Sequence, residues 1–207
     1  MEGYVSLFAS QPIPKDLYSI NPRLIEPSWW HGQRQWAMDN NKNLCGVCGA
    51  KAKEGHETYI YDFPFAVYAG VVPVCKDCHA FVHLNLQYQA WLRLNTVSYE
   101  DLLRVSRRGV RMCIDHNVVP NSKILHTLTR IWSPRMEDEV TKFLTDNTDQ
   151  PPGLPWLYNS PNWRLYFHDN VYQGGLIRTR KRDGTFARKF EITINGFTDS
   201  NSKGDSK

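Results

Sequence analysis

Four cysteines and three histidines in the first half of the chain have the types and spacing of metal ligands. They are Cys45-Gly-Val-Cys48, His56, and Cys75-Lys-Asp-Cys78-His79-Ala-Phe-Val-His83, in the order C-x2-C-x7-H-x18-C-x2-C-H-x3-H. Two Cys-x-x-Cys pairs predict a four-thiolate zinc site, because each pair grips a tetrahedral ion from one side and no other ligand is needed. A pair of redox dithiols would expect a thioredoxin-like βαβ context, which is not seen here. His79 and His83 follow the second pair at a spacing of four and share one face of a helix. With His56 they could hold a second cation. Neutral imidazoles suit Zn, Ni or Mn, whereas an all-histidine site suits Mg poorly. Alternatively, one histidine replaces a cysteine on the zinc, or packs against Tyr59 or Tyr61.

Such a site needs elements that deliver its ligands from different directions. Ser28 to Asn41 predicts a short helix leading into the first pair, with Trp29, Trp30, Trp36 and Ala37 as a rough apolar stripe. Residues His56 to Asp62 are β-rich and alternate, which predicts a strand. Lys76 to about Leu86 predicts a helix opening on the second pair, and Gln87 to Leu94 continues it. A second pair running straight into a helix favours a treble clef over a zinc ribbon. Beyond it, Ser98-Tyr-Glu-Asp101 resembles a capping box and starts a helix to about His116, with Leu102, Val105, Val110, Cys113 and Ile114 apolar. Helices are also predicted from Asn121 to Trp132 and from Ser133-Pro134 through Leu144. Cys113 reads as a buried core thiol.

With its strand histidine and the run Cys75 to His83, this pattern resembles the zinc-bearing branch of the HNH endonucleases, also called ββα-metal nucleases. The resemblance covers about residues 28–90. It implies a structural zinc on Cys45, Cys48, Cys75 and Cys78. It also implies a second divalent cation (Zn, Ni, Mn or Mg) on His56, His79 and His83, and a general base at Glu57. The family usually carries a second histidine where Glu57 stands. No residue between strand and helix matches its central asparagine.

The charge excess has a location. Residues 163–207 hold nine Lys and Arg against five Asp and Glu, while residues 1–162 hold sixteen of each. Leu176 to Arg182 and Thr185 to Ile194 flank Asp183-Gly184, a hairpin signal. The excess peaks in Arg178, Arg180, Lys181, Arg182, Arg188 and Lys189. Alternating with Phe186 and Phe190, these could track phosphates and stack bases of DNA or RNA, or form the wet face of a hairpin.

The predicted fold class is α+β: a treble-clef zinc module (ββα) with appended helices and a C-terminal β-hairpin or small antiparallel sheet. The expected divisions are an extended arm at 1–27, the zinc module at 28–95, a helical segment at 96–149, a basic β-rich part at 150–198 and a disordered tail at 199–207. Four of the five cysteines fall in metal-type pairs, which predicts a reducing, cytoplasmic setting. Neither a signal peptide nor a membrane span is read in the chain. Two functions follow. One is an HNH-type nuclease of a phage or mobile element. The other is a non-catalytic zinc module that binds nucleic acid or a protein partner.

Overall fold

The computed structural model describes residues 4–10, 14, 17, 20–62, 65–131, 138–148, 163–168, 170–180 and 186–196. The fold is mixed α+β. After a 3-10 turn at Tyr4–Phe8 come helices α1 (Pro22–Ile25) and α2 (Pro27–Asn40), then strands β1 (Glu54–Asp62) and β2 (Phe65–Val74). Next are α3 (Lys76–Val82), α4 (Leu84–Gln89), a π turn at Ala90–Leu94, α5 (Tyr99–Asp115), α6 (Ser122–Ile131) and α7 (Asp138–Thr148). Strands β3 (Arg164–Phe167), β4 (Asn170–Arg180) and β5 (Phe186–Gly196) close the described chain.

By its contacts the chain falls into two units. One comprises residues 1–12, 31–58 and 70–155, and the other residues 13–30, 59–69 and 156–207. The first unit has a core in which Val5, Leu7 and Phe8 pack with Val72, Val74, Phe81, Leu84 and the inner faces of α5 and α6. The first residues are thus not a bare extended arm. Prolines exclude long helices there but leave room for short turns, and the apolar residues of the 3-10 turn are buried. The second unit has its own core of Leu17, Ile20, Ala66, Trp163, Leu165 and Phe167. Trp29 packs edge-on to Tyr68 and Phe167. Of the apolar stripe expected on α2, Trp30 and Ala37 are buried, whereas Trp36 is 66% exposed.

The strand order is β1-β2-β3-β4-β5. β3, β4 and β5 pair antiparallel, whereas β2 and β3 pair parallel. Strands β3, β4 and β5 thus form the small antiparallel sheet expected in the C-terminal region, and β2 joins its edge in parallel. The long helical stretch between β2 and β3 is the kind of crossover that parallel pairing requires.

Helix α5 positions α3. Ser98 caps it, its Oγ accepting from the Asp101 N–H at 3.0 Å and donating to the Asp101 carboxylate at 2.9 Å. Leu102, Val105, Val110 and Cys113 are buried as expected, and burial pushes the Cys113 thiol up to about 12. Gly109 lets α5 approach the ring of Phe81 on α3. A β-carbon at Gly109 would lie 2.3 Å from two ring atoms. Phe81 is only 1% exposed and meets Phe8 edge-on at 4.8 Å, so its ring has nowhere to go. Gly109→Ala should therefore destabilise the protein by about 1–3 kcal/mol or more through overpacking, outweighing the ~1 kcal/mol gain in helix propensity. Thermal melting of the metal-loaded protein would show this, and an unchanged or raised midpoint would refute the close approach.

Candidate metal centres

The first cysteine pair sits on a turn closed by a bridge between Leu44 and Lys51. The Cys45 N–H donates to the Ala50 carbonyl at 2.6 Å, and the Gly49 N–H donates to the Cys45 carbonyl at 2.9 Å. Gly49 has φ +72°, a left-handed conformation that glycine adopts without steric cost. The turn is held on both sides: Gly46 donates to the Pro73 carbonyl at 2.8 Å and accepts from the Tyr4 N–H at 2.8 Å. The second pair opens α3. Cys75 is the N-cap, and its sulfur accepts from the Cys78 N–H at 3.5 Å.

These two supports bring all four sulfurs within 4.8 Å of one another, with Cys48 and Cys75 at 3.6 Å. Tetrahedral zinc with its usual sulfur bonds sets an edge of about 3.8 Å. Type, number and spacing of the donors thus fit a structural zinc. Cys45, Cys75 and Cys78 are buried and Cys48 is half-buried. The Cys45 thiolate accepts from Cys78, which holds Cys45 down to about 4 and pushes Cys78 up. Burial raises Cys48. A bound metal would displace the remaining thiol protons.

A cationic brace lies outside the sulfurs. Arg108 of α5 donates through Nη2 to the Cys48 sulfur at 3.4 Å and through Nη1 to Asp77 at 2.7 Å. Arg104 reaches the same Asp77 oxygen at 2.8 Å. Burial alone would raise the Asp77 carboxyl, but the two guanidiniums override it and hold it below its ordinary value.

The three histidines also converge. His56 comes from β1, His79 from α3, and His83 from the residue that ends α3. One ring nitrogen of each lies within 4.8 Å of the others, and the ring centroids are 4.8 to 5.5 Å apart. His56 is 6% exposed, while His79 and His83 are half-buried. Three imidazoles facing one point suit a cation that keeps a coordination position open. No known family model, curated protein or solved structure matches this chain.

Two carboxylates lie close to His56 in the chain. Glu57 follows His56 on β1, is 3% exposed, and does not belong to the converging group. The Glu54 carboxylate contacts His79 Nδ1. Sequence reasoning passed over Glu54, although its place two residues before His56 sets it on the same strand face. Arg108 carries no comparable signal in the sequence, yet it engages Asp77 and Cys48.

The basic residues of the C-terminal region lie partly on described backbone. Arg178 and Arg180 are on β4, and Arg188 and Lys189 on β5. Arg178 stands opposite Arg188, and Arg180 opposite Phe186. Lys181, Arg182 and the Asp183-Gly184 turn lie outside the described residues. Among the described residues no helix is long and apolar enough to cross a membrane.

Proposed function

We propose that this protein is a metal-dependent endonuclease of HNH type that hydrolyses phosphodiester bonds in DNA or RNA. The observation that carries the reading is the meeting of His56, His79 and His83 from a strand and from the helix that opens on the second cysteine pair. In this reading the cysteine turn, strands β1 and β2, and α3 form a treble clef around a structural zinc on Cys45, Cys48, Cys75 and Cys78. His56, His79 and His83 would hold a divalent cation (Zn, Ni or Mn rather than Mg), which would supply polarisation of the scissile phosphate and stabilisation of the leaving oxyanion. Glu57 is the general base that accepts a proton from the attacking water. Arg178, Arg180, Lys181, Arg182, Arg188 and Lys189 bind backbone phosphates. The chain works in the cytoplasm, in a phage or mobile-element setting.

A second reading has one observation in its favour. Glu57 is 3% exposed, so water reaches it less readily than an open base. On that reading the chain is a non-catalytic zinc module that binds nucleic acid or a protein partner.

Cleavage of plasmid DNA and of RNA in the presence of Zn, Ni, Mn or Mg decides between them. Wild-type protein should cut with at least one of the first three. Glu57→Gln should keep the fold and lower the rate about 10²–10⁴-fold, the usual range for loss of a general base. Binding of nucleic acid without cleavage under every metal would establish the second reading and end the first.

A further inference from the structure

We infer that Glu54 is a positioning residue for the histidine site, orienting His79 toward the cation from behind. This rests on the reading of His56, His79 and His83 as a cation site. The carboxylate of Glu54 contacts Nδ1 of His79. A neutral imidazole has one protonated nitrogen and one lone pair, so a proton held at Nδ1 by a carboxylate leaves the lone pair on Nε2. That is the tautomer needed for ligation through Nε2, and such an outer partner fixes the orientation of the ring.

Two further observations give Glu54 this part rather than that of a fourth ligand. Its carboxylate is not a member of the group whose donor atoms lie within 4.8 Å of one another. It also stands on β1 two residues before His56, so one strand face supplies both a ligand and the group that orients a ligand on α3. The start of the strand is itself held, because Arg34 donates to the Lys53 carbonyl at 2.6 Å. Glu54 is partly exposed, with 41% of its side-chain surface open. Its replacement therefore leaves no buried cavity.

The test is cobalt titration of protein whose four cysteines already hold zinc, followed by the visible absorption of the second ion. Wild-type protein should take up one cobalt. Glu54→Ala should bind it about 10–100-fold more weakly, the range seen when such an outer partner is lost. Glu54→Gln keeps an amide oxygen that accepts from Nδ1–H, so it should lose less than Glu54→Ala. In both variants the cysteine-bound zinc and the melting midpoint should match wild type. Equal cobalt affinity in Glu54→Ala and wild type would overturn the role of Glu54 and leave the nuclease reading standing. Equal losses in both variants, in step with a lowered midpoint, would show a merely structural residue and overturn it too. A wild-type protein that takes no second ion would overturn both this inference and the function on which it rests.

Discussion

Cys45→Ser and Cys78→Ser should each release the zinc and unfold the first unit. Structural zinc sites bind with apparent free energies of about 10–16 kcal/mol in small modules, comparable to the whole stability of a domain at about 5–15 kcal/mol. Cys45, Cys75 and Cys78 belong to the same buried core as Val5, Phe8, Val74 and Phe81. Loss of the metal would leave three thiols in and against that core with no bond tying the turn to α3. The effect should therefore spread from the turn into α3 and α5. Metal content by mass spectrometry and melting by circular dichroism would follow it. Cys113→Ala is the control, since that buried thiol lies outside the four-sulfur group and its loss should leave the zinc count unchanged. A Cys45→Ser protein that melts like wild type without metal would show that zinc does not hold this fold.

On the proposed nuclease reading, His83→Ala should abolish divalent-dependent cleavage and keep the fold. The contribution of His83 to the helix is made by its backbone. Its N–H donates to the His79 carbonyl at 3.1 Å, and its own carbonyl accepts from Leu86 at 2.8 Å and from Gln87 at 3.2 Å. Alanine retains all three bonds, so only the imidazole is removed. Two histidines in place of three give a weaker and differently shaped cation site, and with it goes the electrostatic help on which phosphoryl hydrolysis depends. Zinc bound by the four cysteines and the melting midpoint should stay at wild-type values. If His83→Ala cleaves as fast as wild type, the histidine cluster is not the reaction centre.

The features legible in the sequence were those written in local chemistry. Cys45, Cys48, Cys75 and Cys78 declare themselves by spacing, and Ser98 and Asp101 declare a helix start because the cap and its acceptor are three residues apart. Strand β2 was not legible. Gly70 and Pro73 lie within it, and its burial does not alternate, so it shows neither the composition nor the period of a half-buried strand. The break at His83 was hidden as well, since no glycine or proline marks it and it divides what reads as one helix into α3 and α4. Glu54 and Arg108 were missed for another reason. Glu54 meets its partner 25 residues along the chain, and Arg108 meets Asp77 31 residues away, and only the packing of β1 and α5 against α3 brings these charges together.

Helix α3 spans only Lys76–Val82, seven residues. A segment that short does not persist in water by itself. Its N-terminus carries Cys75 and Cys78, and its far end presents His79 and His83. The spacing of the two histidines therefore depends on the core that holds α3, where Phe8 and Phe81 pack together with Cys75 and Cys78. If both groups hold ions as proposed, loading would follow a hierarchy, with the sulfur-bound ion first and the imidazole-bound ion second. A cell starved of zinc would then silence the outer site without touching it, the inner ion serving as a licence for the outer one.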